Sequence, residues 1–184
     1  MSPTALVPIA DGSEEIEAVT IIDVLRRAGI AVTVASVMDR PEITASRGVR
    51  IVADRLISDV ADQDFDLIVL PGGMPGAEHL RDNEILTDML RRHAAANRLL
   101  GAICAAPAVA LEAHGFLENR AATAHPGFFD RLNRDRRSEA RVVADGHVVT
   151  SRGPGTALEF ALRLVALLRG EDAAAEVAAP MVTR

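Results

Sequence analysis

The chain has 184 residues, 49% of them hydrophobic and 25% charged, which is the size and balance of one globular domain with a well-filled core. A formal net charge of −6, with no Trp or Tyr, argues against a nucleic-acid partner or an anionic membrane surface, since both favour basic faces and nucleic acid also favours aromatic stacking. No apolar run approaches the roughly 18 residues of a membrane span, and one cysteine allows no internal disulfide. With no basic segment ahead of the first apolar run, these features predict a reducing, cytoplasmic setting.

Residues 5–9 read as a first strand, in which Pro8 is tolerable only where pairing ends. Asp11-Gly12-Ser13 is a turn, and Asp11 and Glu14 have capping-box spacing. A helix follows to about Ala28, with Ile16, Val19, Ile22 and Leu25 as its apolar stripe and Gly29 closing it. Residues 30–37 are β-branched and read as strand two. Residues 39–46 form a loop, 49–52 a short edge strand and 59–66 an acidic loop. Leu67-Ile68-Val69-Leu70 is a strand buried on both faces, broken at once by Pro71-Gly72-Gly73. A helix over 83–96, a strand over 98–103 and a helix over 105–114, closed by Gly115, come next. Residues 121–124 lead into His125-Pro126-Gly127. Residues 140–144 and 147–150 flank a two-residue Asp145-Gly146 turn. Arg152-Gly153-Pro154-Gly155 is a tight loop, 156–168 an apolar helix closed by Gly170, and 172–178 a last short helix.

Strands alternate with helices throughout, with no repeat or linker. This predicts an α/β domain over 1–184: a doubly wound, mostly parallel sheet with helices on both faces. Ligands in such sheets bind outside the carboxyl ends of the strands. Asp11–Glu17, Pro71–Gly73, Cys104 and His125 all fall at such ends.

Cys104 sits where a strand turns into a helix. That position exposes the turning side chain and places it by a helix N-terminus, which lowers a thiol pKa. Pro107 suits the first helical turn. Two readings stand here: an inert cysteine among small apolar neighbours, or a nucleophile paired with His125. Glu14 and Glu15 read as a solvated helix face. Glu17 lies in an apolar stretch and points inward, where a carboxyl stays protonated and can donate to a thiolate. Gly72-Gly73 is either a plain turn or an oxyanion cradle of open N–H groups. Arg27, Arg47, Arg152 and Pro154 are candidates for a polar mouth that takes a small anion or carbonyl compound. One cysteine and scattered histidines offer no metal-ligand spacing.

At these residues the sequence resembles the ThiJ/PfpI superfamily, in the branch of the parkinsonism-associated deglycase and the YajL chaperone. The resemblance rests on residues 10–17 (ADGSEEIE), 26–29 (RRAG), 69–73 (VLPGG), 102–107 (AICAAP), 124–126 (AHP) and 150–156 (TSRGPGT), in family order across nearly the whole chain. It implies a flavodoxin-like domain, a homodimer, and a nucleophile elbow carrying an oxidisable Cys104. By motif, Glu17 is the protonated acid beside that cysteine, His125 the nearby histidine, and Gly73 and Ala105 the oxyanion N–H donors. Ala106 replaces a frequent glycine, and the family's additional cysteines are missing, so any redox role runs through Cys104 alone.

The implied activity is a cofactor-independent glyoxalase or deglycase. It would act on methylglyoxal, other 2-oxoaldehydes or early glycation adducts of amines or thiols, through a Cys104 hemithioacetal. The alternative is a non-catalytic redox sensor or chaperone governed by Cys104 oxidation. A glutamine amidotransferase would want a His-x-Glu pair, but Pro126-Gly127 follow His125. A PfpI-type peptidase would carry its histidine directly after the nucleophile, where Ala105 stands.

Overall fold

The computed structural model describes residues 2–183. In chain order the elements are β1 (Thr4–Ile9), α1 (Glu15–Arg27), β2 (Ala31–Ser36), β3 (Glu42–Thr44), β4 (Arg50–Val52), β5 (Arg55–Leu56), β6 (Leu67–Leu70), α2 (Gly76–Asp82), α3 (Glu84–Ala95), β7 (Leu99–Ile103), β8 (Val142–Asp145), β9 (Val148–Ser151), α4 (Ala157–Arg169) and α5 (Glu171–Ala178).

Alternation along the central strands sets the layers. Ala5, Val7 and Ile9 of β1 enter one core and Leu6 the other; Leu67 and Val69 of β6 oppose Ile68 and Leu70 in the same way. Both faces are apolar because helices cover both. Ile21, Val24 and Leu25 of α1 and Phe160 and Leu164 of α4 fill the first core, while Leu80 of α2 and Leu86 and Leu90 of α3 fill the second. Phe160 is among the largest fully buried side chains, and its burial is worth about 2–3 kcal/mol. Gly101 makes room for it, since a Cβ there would lie 3.2 Å from Phe160 Cζ.

The strands form one seven-stranded sheet in the order β5-β2-β1-β6-β7-β9-β8, with β3 and β4 in a separate antiparallel pair. All sheet neighbours run parallel except β8 and β9. The five central strands follow the flavodoxin-like doubly wound order, as expected.

Several local expectations need correction. Asp11 does not cap α1. Glu14 does, accepting the Glu17 N–H at 2.8 Å, while Asp11 accepts the Thr44 N–H at 2.9 Å and pairs with Arg40 at 2.6 Å. The buried stripe of α1 is Ala18, Ile21, Val24 and Leu25, leaving Ile16 and Val19 exposed. Pro8 lies within β1, but pairing with β6 has ended at Leu6. Residues 49–52 do not edge the main sheet: β4 pairs with β3, and β5 is the edge. Helix α2 precedes the expected one, and Asn83, accepting the Leu86 N–H at 2.9 Å, separates α2 from α3. The helix after Cys104 is a π-turn over Pro107–Leu111 continued by a 3-10 turn. Residues 121–124 make only a bridge from Ala122 to Arg137. The β8–β9 register pairs Asp145 with Val148, so the turn is Gly146-His147 rather than Asp145-Gly146.

His93, in the last turn of α3, is 3% exposed, and its Nε2 lies 2.7 Å from the Leu99 carbonyl oxygen. Burial, chiefly, lowers its pKa from 6.5. The unfolded chain therefore takes up this proton at a higher pH than the folded one, and the contribution to stability is lost as pH falls below 6.5. Glu17, raised to about 7, acts in the opposite sense: its contribution is lost as pH rises toward 7. The expected result therefore lies in a difference. The gap in urea midpoint between the chain and His93→Gln shrinks as pH is lowered from 7 to 5; a gap independent of pH would refute it.

Candidate active site

The sheet order reverses between β1 and β6, and a crevice opens at the carboxyl ends of the strands there. The turn into α1, the Pro71–Gly73 break, the end of β7 and the loop after β9 meet at this edge.

Cys104 directly follows β7 with φ 64°, a left-handed conformation that costs a non-glycine residue about 1–3 kcal/mol. Two bonds on its own backbone hold it there: its N–H donates to the Ser151 carbonyl at 3.0 Å, and its carbonyl accepts the His125 N–H at 2.8 Å. Gly72 allows the approach from β6. A Cβ on Gly72 would lie 2.5 Å from Cys104 Cβ and 2.8 Å from the Ile103 carbonyl oxygen. The cysteine is 8% exposed, so the elbow leaves it nearly covered rather than open.

Glu17 is fully buried. Its Oε2 accepts the Gly72 N–H at 2.8 Å, and its Oε1 has no hydrogen-bond partner among the described residues. Burial raises this carboxyl to about 7, against the Gly72 N–H and the Cys104 side chain, which lower it. Burial, then the charge and hydrogen bond of Glu17, push the thiol up to about 12. The Gly73 and Ala105 N–H groups face the sulfur and pull the other way without offsetting this. The expected lowering by the helix N-terminus is thus reversed. A short π-turn follows the cysteine, and a buried carboxyl lies against it. The two groups are coupled: burial holds the carboxyl above the usual carboxylate range, and the carboxylate, once formed, holds the thiol above the usual thiol range. After the first proton is lost, the remaining proton sits on Sγ, held there by burial and by the Glu17 charge.

The N–H of Gly72 is committed to Glu17, so of the two glycines only Gly73 offers a donor at the sulfur. His125 is brought beside Cys104 by its backbone bond, and its ring is exposed. Arg152 follows Ser151, donating through Nη1 to the Glu139 carbonyl at 3.1 Å, with its Nε buried and unpartnered among the described residues. Pro154 starts a 3-10 turn that Thr156 Oγ1 ties to Ser151 Oγ at 2.7 Å. Arg47 lies at the same edge, in the turn between β3 and β4. Arg27 does not: it closes α1, paired with Asp23 at 2.6 Å. Ten residues of helix put it about 15 Å along the axis from Glu17.

Glu15 is not part of a solvated face. It is 8% exposed and anchors the β3–β4 turn, accepting Ser46 Oγ and the Arg47 N–H, each at 2.7 Å. Burial opposes its ionisation, but these hydrogen bonds hold its pKa below 4.5. Nothing local distinguishes it from Glu14; its partners lie more than thirty residues away. Phe128 is the other residue that sequence reasoning passed over. It packs against the cluster of Ala77, Ala105 and Val109 and edge-on to His125, and its place two residues beyond Pro126 is the one signal in the sequence. No group of three His, Cys, Asp or Glu side chains among the described residues has the arrangement of a metal site.

A left-handed cysteine at a strand end, backed by a glycine and facing a buried carboxyl, defines an α/β protein of the cysteine-elbow class. The DJ-1/PfpI family profile matches residues 3–167, and the chain belongs to that family. Protein DJ-1 homolog B of Arabidopsis thaliana is 50% identical over 93% of the chain, which spans only 39% of that relative's length. The Caenorhabditis elegans glutathione-independent glyoxalase DJR-1.2 is 38% identical over 93% of this chain and 90% of its own. The solved structure of oxidized Toxoplasma gondii DJ-1 superimposes with a TM-score of 0.97 at 50% identity, covering 98% of both chains.

Proposed function

We propose that this protein is a cofactor-independent glyoxalase or deglycase that converts a 2-oxoaldehyde such as methylglyoxal to a 2-hydroxy acid at Cys104. The observation that carries the reading is the buried Glu17 carboxyl, fixed by the Gly72 N–H and set against the only thiol in the sequence, with two backbone N–H groups at its sulfur. The sequence also contains no lysine, so no lysine Schiff base competes as the covalent route. The nematode relative's name supports the same chemistry.

In the singly ionised pair Glu17 is the carboxylate, and it draws off the Cys104 proton as the sulfur attacks. The sulfur adds to the aldehyde carbon, and the proton passes to the new alkoxide, which the Gly73 and Ala105 N–H groups hold as it forms. Glu17, again a carboxylate, takes the hydrogen from the former aldehyde carbon and returns it to the neighbouring ketone carbon. The hydroxyl proton crosses to the ketone oxygen, with His125 serving the two oxygens. The product is a thioester of the 2-hydroxy acid. Water hydrolyses it, releasing the acid and restoring the pair. One carbon is oxidised as its neighbour is reduced, so no external oxidant enters. Early glycation adducts on small amines or thiols present the same carbonyl pair to the sulfur.

The test is lactate formation from methylglyoxal with no added thiol or metal. Sustained turnover supports the reading. No lactate, with two oxygens added to Cys104 under mild peroxide, would instead select the redox-sensor alternative, in which Oε1–H of Glu17 donates to the oxidised sulfur.

We further propose a homodimer. Ile16 and Val19 of α1 are 56% and 50% exposed, and Val49 and Val52 on the β3–β4 hairpin are 49% and 66% exposed. The Glu15 bonds to Ser46 and Arg47 hold the hairpin turn against α1, and we take these exposed apolar side chains as the surface offered to a second copy. Sedimentation is expected to give a dimer of 19.5 kDa chains, and Val52→Glu a monomer; a monomeric unmodified chain would sink this proposal.

A further inference from the structure

The imidazole of His125 is exposed, yet it is held on three sides. Its Nδ1 accepts the Gly127 N–H at 3.1 Å. Phe128 meets it edge-on, with 6.2 Å between ring centroids and 61° between planes. Gly153 lies close by, where an added Cβ would stand 3.5 Å from Cδ2. Phe128 is itself clamped. It packs on Ala77, Ala105 and Val109, and the Arg131 guanidinium lies over its ring, 5.1 Å from the centroid. That cluster includes Ala105, which directly follows the nucleophile, so the clamp rests against the elbow. An exposed histidine without such contacts exchanges rotamers within nanoseconds.

We propose that Gly127 and Phe128 are positioning residues that keep His125 in one rotamer and one tautomer, so that it works as a neutral hydrogen-bond donor through Nε2. A ring nitrogen that accepts a backbone N–H carries no proton, so in the neutral ring the proton is on Nε2. That atom has no partner among the described residues and is free for a substrate. The role rests on the glyoxalase reading. In the isomerisation, Nε2–H hydrogen-bonds to the enediolate oxygen and keeps its own proton. Glu17 carries the proton between the carbons, and the hydroxyl proton crosses directly between the two neighbouring oxygens. Negative charge on the enediolate is thereby met by a neutral donor, and no imidazolium is needed.

The experiment pairs nitrogen-15 NMR of the histidine rings with steady-state kinetics on methylglyoxal. In the unmodified chain the neutral His125 ring is expected to be protonated at Nε2 alone. Phe128→Leu keeps an apolar side chain against the Ala77, Ala105 and Val109 cluster but removes the ring edge. It is expected to fold, to show mixed tautomers, and to lose about tenfold in kcat with KM within about twofold. Phe128→Tyr is expected to restore the single tautomer and most of kcat. Protonation at Nδ1 in the unmodified chain overturns the proposal, as does Phe128→Leu with unchanged tautomer and kcat. A chain that makes no lactate fails the glyoxalase reading instead, and the NMR comparison then still decides the positioning.

Discussion

Cys104→Ser is expected to cut lactate formation from methylglyoxal by about a thousandfold or more while leaving the fold in place. A serine hydroxyl fits the space of the thiol but does not ionise within reach of the Glu17 carboxyl, so the first covalent bond cannot form. The background is clean. Residual product cannot come from a second thiol or a lysine amine, because the sequence has neither. Circular dichroism and a melting curve establish the fold; lactate formation within tenfold of the unmodified rate would refute the covalent mechanism. The same experiment carries a pH signature. The reactive form has lost one proton from the Cys104–Glu17 pair, so kcat/KM rises with pH through about 7. Glu17→Gln removes the partner that titrates there. It is expected to abolish that limb along with most of the activity.

Gly72→Ala is expected to cost about 3 kcal/mol, or some 6 to 12 °C in melting temperature, and to silence the site as well. The φ of Gly72 is not in the left-handed region, so the cost is steric. The new methyl carbon would meet Cys104 Cβ at 2.5 Å, the Ile103 carbonyl oxygen at 2.8 Å and the Ala105 nitrogen at 2.9 Å. Two of these are backbone atoms of the elbow and cannot swing aside. Gly155→Ala, in the loop after β9, is the matched control. An added Cβ there meets nothing within 4 Å, and its melting temperature should barely move. Equal melting points for the two variants would show that the elbow yields to the methyl group, and that the close approach of β6 to Cys104 is not required.

Much of the fold was legible because burial on both faces leaves a plain trace. Leu67-Ile68-Val69-Leu70 stopped by Pro71-Gly72-Gly73 admits little besides a central strand. Helices were harder where their signals are brief. Helix α2 begins at Pro75-Gly76, without a capping side chain, and was missed. The stripe in α1 was misread because apolar spacing does not say which face is inward: Ile16 and Val19 suit a core as well as a surface patch. In the site, Cys104 and Gly73 announced themselves by position in the chain. Glu15 did not, since its burial depends on Ser46 and Arg47 folding back onto it.

The sequence by itself determined the layered α/β architecture, the single thiol at a strand end and the absence of any lysine that might share its chemistry. Periodicity and turn residues are local, and they survive in the linear order. Tertiary structure alone decided the state of that thiol. Glu17 and Gly72 are 55 residues apart, and only the order β1-β6-β7 brings the carboxyl, the glycine N–H and the sulfur together in the buried interior. There, burial and one neighbouring charge outweigh the backbone N–H groups that a reading of the elbow alone would trust. The same holds for Arg27, a candidate for the polar mouth that ten residues of helix carry away from Glu17.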